Sequence, residues 1–134
     1  MNVLVNIDVP DLARATDFYV RGLGFTPARR LGDAAMELVS GAARVYLLAK
    51  QPGSTAVPST GLRRVFDRHW TPVHVDIVVE HLEAALARAL AVGAVQETEI
   101  ESHAWGRIAG CADPFGNGFC LLEFSAAGYE AIAT

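Results

Sequence analysis

Long apolar runs are missing from this chain. No stretch of its 134 residues approaches the ~20 that a membrane-spanning helix needs, and the opening MNVLVNIDVP lacks the charged leader of an export signal. Positive charge is also in short supply. Eleven Lys and Arg stand against fifteen Asp and Glu, a net charge of −4, which leaves no basic face to neutralise a nucleic-acid backbone. The one basic cluster, Arg63, Arg64 and Arg68, is interrupted by Asp67 and reads as a solvated loop. Cysteine is scarce: Cys111 and Cys120 alone, in a chain without an export signal, imply free thiols in a reducing compartment, the cytoplasm. No glycine-rich phosphate loop is present, because GLGF and GNG have the wrong spacing. No serine sits in a nucleophile elbow either. Nucleic acid, membrane and nucleotide chemistry are thus excluded as expectations.

What is there is a core and a repeat. Apolar residues make up 51% of the chain and charged ones 19%, enough to build one folded domain. Residues 3–9, VLVNIDV, alternate, with Val3, Val5, Ile7 and Val9 on one side and Leu4, Asn6 and Asp8 on the other. Residues 73–79, VHVDIVV, repeat the pattern seventy positions later, with His74, Asp76 and Val78 on the second face. Both read as half-buried strands. Each runs into a helix. The first, DLARATDFYVRGLGF, has Asp11 as N-cap and Leu12, Ala15, Tyr19 and Leu23 near helical spacing. In the second, EHLEAALARALAVGA, Leu82, Leu86 and Leu90 form a stripe beside Ala85 and Ala89. Gly24 and Gly93 stand where the two helices should end.

Three strands are expected after each helix, at 28–32, 35–40 and 43–49, then at 95–101, 104–112 and 119–125. The last pair is joined by the turn sequence DPFGNG, 113–118. The expected organisation is a single α+β domain of two tandem βαβββ modules forming a curved, mixed-sheet trough. Module one is 1–50, a linker with a short helix near Arg63–Arg68 covers 51–71, module two is 72–125, and a tail covers 126–134. One face of each sheet takes its helix; the other is free to hold a small molecule.

Two stretches carry a family resemblance over essentially the whole chain. VPDLARATDFYVRGLGF resembles the first helix of the vicinal oxygen chelate superfamily, which includes glyoxalases, bleomycin-resistance proteins and extradiol dioxygenases. HAWGRIAGCADPFGNGFCLLEF resembles that superfamily's closing strands, with their WG and DPxGN features. The resemblance implies the glyoxalase/bleomycin resistance fold and a small-molecule site. In its metal-dependent members a His or Gln on each module's first strand and a Glu on each last strand hold a metal. Those positions fall on Leu4, Tyr46, His74 and Cys120, of which only His74 matches in type.

The leading expectation is therefore a metal-independent binder of a small, partly apolar or aromatic ligand, with no cofactor. Its residues are His74, Asp76, Tyr46, Trp105, His103 and Cys120, with Asn6 and Asp8 opposite. His74 is the one catalytic candidate, and Asp76, two residues on, orients it. Arg107 shares parity with Trp105 and is a candidate to meet an anionic group on the ligand, the alternative for this stretch being ordinary packing of Trp105 at the WG position. Cys111 is expected roughly opposite Cys120, the two reading as small buried residues that pack like hydrophobes, with a soft zinc or copper site shared with His74 as the alternative. The rival is a lyase, isomerase or dioxygenase with a divalent metal on His74 and some of His69, His103, Glu37 or the cysteines. A homodimer is expected, since an unpaired sheet edge favours pairing.

Overall fold

In the computed structural model, which describes residues 2–134, the two alternating segments become the first strand of two separate units. These units are Met1–Asp67 and Arg68–Thr134. In the first, β1 (Val5–Val9) leads into α1 (Leu12–Asp17), where Asp11 accepts a hydrogen bond from the Arg14 N–H at 3.0 Å. Phe18–Gly22 continue as a π-helical turn. The wider turn leaves two consecutive aromatics, Phe18 and Tyr19, both buried and 5.2 Å apart edge to face. Gly24, at φ 75°, closes the helix as expected.

Strands β2 (Thr26–Leu31), β3 (Ala35–Ser40) and β4 (Ala43–Ala49) follow. The sheet order is β1-β4-β3-β2, with β1 parallel to β4 and the other pairs antiparallel. Val9, Leu38, Val45 and Leu47 are buried on the helix side with Phe18. Asn6, Glu37 and Tyr46 occupy the opposite face, in register with one another across three strands.

The helix expected near Arg63–Arg68 does not form. Strands β5 (Thr55–Val57) and β6 (Leu62–Arg63) make a small hairpin instead. Gly61, at φ 70°, supplies a turn conformation that a helix cannot use. Nor is the basic cluster merely solvated: Arg64 donates to Asp8 at 2.8 Å and to the Thr55 carbonyl at 2.7 Å, tying this stretch to β1.

The second unit repeats the plan. It comprises β7 (Val75–Val78), α2 (Leu82–Ala91), β8 (Val95–Gln96), β9 (Glu101–His103), β10 (Gly106–Ala112) and β11 (Gly118–Phe124). The order is β7-β11-β10-β8, with β9 also on β10 and β7 parallel to β11. The strand expected over 95–101 is broken. The Glu97 and Thr98 N–H groups both reach the Gly110 carbonyl, and regular pairing resumes only at Glu101. The expected strand 104–112 starts two residues later, at Gly106.

Along α2, Leu82 and Leu86 are buried but Leu90 is 40% exposed, and Ala89 takes the inner position. Steps of four residues overshoot one helical turn, so a strict i+4 stripe rotates off the core. His81 gives no side-chain cap; the Leu82 N–H donates to Glu123 Oε2 at 2.7 Å instead. A carboxylate from the closing strand thus sits at the positive end of the helix.

The two cysteines do not face each other. Gly110 pairs with Cys120, and Cys111 pairs with Phe119. The turn closes at Ala112–Gly118, so Gly118 belongs to the strand and the connection is one residue shorter than DPFGNG suggests. One residue of register reverses a face. Cys111 lies buried on the helix side, and Cys120 is half-buried on the other.

Candidate functional site

On the free face of the first sheet, Glu37 is the one charged residue of β3, and it is only 1% exposed. Three side chains converge on it. Arg29 donates from Nε at 3.0 Å and from its terminal nitrogen at 2.7 Å, a bidentate grip. Arg44 donates at 3.1 Å and the Tyr46 hydroxyl at 2.6 Å. The Arg29 and Tyr46 hydrogen bonds, with the charges of Arg29 and Arg44, hold the Glu37 carboxyl down at about 2 against burial. The same carboxylate pushes the Tyr46 phenol above its ordinary range, so Tyr46 stays a neutral donor. Together with Asn2, Val3, Leu4, Ala28 and Ala42, these residues line a concavity of about 820 Å³.

On the free face of the second sheet, His74 Nε2 lies 3.1 Å from Asp76 Oδ1. Cys120 stands beside Asp76 in register. One ligand-capable atom from each of His74, Asp76 and Cys120 lies within 4.8 Å of the others. Partial burial, then the charge and hydrogen bond of Asp76, push the Cys120 thiol up to about 11. At neutral pH it is a hydrogen-bond donor rather than a thiolate nucleophile. Cys111 is buried and takes no part in this cluster, which removes the two-thiol alternative.

The remaining expected residues stand elsewhere. His103 stacks on Trp105 at 4.9 Å, with Tyr129 5.7 Å from Trp105 and Phe124 6.5 Å from it. The tail, which by sequence is either a short helix or a loose end, forms a short 3-10 helix over Gly128–Ala131, and its Tyr129 joins this aromatic cluster. Asp8 is held by Arg64, while Asn6 is exposed opposite Tyr46. Arg107 is not available to a ligand anion in the way its parity suggested. It binds Glu83, and it reaches both oxygens of Glu123 at 2.9 Å. Those two carboxylates raise its already high pKa further. Sequence reasoning missed Arg29 and Arg44 and named Glu37 only as a metal ligand; the legible signal was a lone carboxylate in a mostly apolar strand.

Among the described residues no helix is long and apolar enough to cross a membrane. Two βαβββ units of the same strand order, each with a polar free face, define the class. The model of the glyoxalase-like domain family matches residues 4–122, and the chain belongs to that family. The superfamily and fold expected from its helix and its closing strands are thus borne out.

An uncharacterised protein of Mycobacterium bovis is 29% identical over 116 residues, covering 84% of this chain and 76% of that protein. Among solved structures, a genomically encoded fosfomycin resistance protein from Listeria monocytogenes superposes with a TM-score of 0.72. It is 15% identical, over 98% of this chain and 95% of that one. A glyoxalase/bleomycin resistance protein/dioxygenase family enzyme from Burkholderia phytofirmans gives a TM-score of 0.71 at 19% identity, over 91% of this chain and 97% of that one. Identities at this level establish a shared fold and leave the chemistry to the site.

Proposed function

We propose that this protein binds a small, partly apolar or aromatic molecule on its polar sheet faces without the family's usual metal. One observation carries the reading. At two of the positions where metal-dependent relatives keep ligands stand Leu4, which cannot coordinate, and Tyr46, whose hydroxyl is committed to Glu37 at 2.6 Å. The four-ligand set therefore does not fit this chain. In its place the same two residues help line a concavity of a size suited to a small organic ligand.

A second reading rests on a different observation. His74, Asp76 and Cys120 offer three donor atoms within 4.8 Å, a set chemically suited to zinc once the thiol has lost its proton. An ion there would supply Lewis-acid chemistry, with His74 and Asp76 as ligands instead of a hydrogen-bonded pair.

Metal content measured by mass spectrometry on untagged, chelator-free protein separates the two. We expect trace metal, unchanged in His74→Ala, and stabilisation by members of a panel of small aromatic compounds in a thermal-shift screen. Near-stoichiometric metal that His74→Ala removes would overturn the first reading in favour of the second. The chain is also expected to form a homodimer through an unpaired sheet edge; light scattering that returns the monomer mass at micromolar concentration would sink this.

A further inference from the structure

The cluster around Glu37 is built more heavily than a strand tie requires. Arg29 comes from the outer strand β2 and Arg44 from β4, while Glu37 sits between them on β3. Two like charges are thereby brought to one place. A single carboxylate offsets one of them, so the three groups sum to one positive charge beside the neutral Tyr46 phenol. A guanidinium has five N–H donors. Arg29 uses two on Glu37 and also interacts with the Tyr46 hydroxyl, and Arg44 uses one on Glu37, so each guanidinium keeps N–H groups to spare. Both remain open to solvent, at 69% and 51% exposure. Their unspent donors border a concavity whose other lining includes the apolar Val3, Leu4, Ala28 and Ala42.

We infer that this concavity is a site for a small organic monocarboxylate, its apolar body against Leu4, Val3, Ala28 and Ala42 and its carboxylate on the free N–H groups of Arg44 and Arg29. Glu37 is then the positioning residue. Buried and fully hydrogen-bonded, it holds the two guanidiniums in a fixed orientation, so that less side-chain freedom is lost when the ligand binds. The charge balance selects a monoanion: one net positive charge matches a carboxylate, whereas a doubly charged phosphate would lack a partner for its second charge. The apolar lining selects an organic body over an inorganic anion. The inference deepens the small-molecule reading of the same face and rests on it.

The test uses benzoate, benzyl alcohol and inorganic phosphate as probes on the full chain, titrated by calorimetry at low and high salt. Benzoate should bind more tightly than the other two and weaken as salt rises. Arg44→Gln leaves Glu37 its bonds to Arg29 and Tyr46, so the fold is retained. It should weaken benzoate by about tenfold or more. Arg21→Gln, on the far surface of the same unit, is the control and should leave benzoate binding unchanged. Benzyl alcohol binding as tightly as benzoate would overturn the carboxylate assignment while sparing the small-molecule reading. No benzoate binding, or benzoate binding equal in Arg44→Gln and the parent chain, would overturn the inference outright. Tighter binding of phosphate than of benzoate would overturn it in favour of an inorganic oxyanion site.

Discussion

Replacing Gly106 by alanine should cost roughly 3–5 kcal/mol, the sum of backbone strain and overpacking against atoms that cannot rotate away. Gly106 opens β10 at φ 150°, a conformation that a side-chain-bearing residue rarely adopts. It is buried and pairs with Phe124 on one side and His103 on the other. A Cβ there would press on the Glu123 carbonyl oxygen and lie 2.9 Å from the Phe124 Cα. Both are backbone atoms of β11, so relief requires the two strands to part. Parting them disturbs Glu123, which holds the start of α2 and binds Arg107. Gly61→Ala is the calibrating variant. Gly61 also has positive φ, at 70°, but nothing lies within 4 Å of its Cβ direction, so only the backbone preference of about 1 kcal/mol is lost. Urea unfolding followed by circular dichroism reads both. A Gly106→Ala loss no larger than that of Gly61→Ala would refute the close-approach argument.

The glycine was legible in sequence as half of the WG feature, and so was much of the scaffold. The alternation in 3–9 and 73–79 placed Asn6, His74 and Asp76 on the free face, because a sheet covered by a helix on one side writes a period of two into its strands. Glu123 stands in the closing stretch that carries the family resemblance. Its task at the Leu82 N–H was not visible, since nothing local links residues 41 apart. Register errors had a similar origin. One extra residue counted into the DPFGNG turn was enough to bring Cys111 opposite Cys120, whereas the structure pairs it with Phe119.

Arg29 was hidden for a different reason. It lies where the β2–β3 register shifts between Pro27 and Arg30, so counting by twos from either side gives no face for it. The Arg63–Arg68 helix failed because local helix-forming residues were overruled by the turn at Gly61 and by the Arg64–Asp8 pair. Strand patterns carry their own evidence; long side chains that reach across strands do not.

Glu37→Gln should therefore destabilise the chain at neutral pH more than removal of any exposed ion pair such as Arg21–Asp17. The variant keeps one acceptor oxygen, but it leaves Arg29 and Arg44 adjacent with no anion between them. The effect is pH-dependent, and its sign follows from the shift. Glu37 ionises at about 2 in the folded chain against an ordinary value of 4.5. Its stabilisation is complete above the ordinary value and falls as protons bind more readily to the unfolded chain than to the native one. The difference in unfolding free energy between parent and Glu37→Gln should thus be constant from pH 7 to about 5 and shrink between about 4.5 and 2. Taking the difference between the two proteins cancels the titration of Glu83, Glu97 and Glu123, whose pKa values are also lowered by arginine partners. Chemical denaturation at half-unit steps of pH reads the profile. A difference that stays constant down to pH 2 would mean that the Glu37 carboxylate is not held by Arg29 and Tyr46. The ligand arginines would then lack the fixed orientation that the carboxylate site requires.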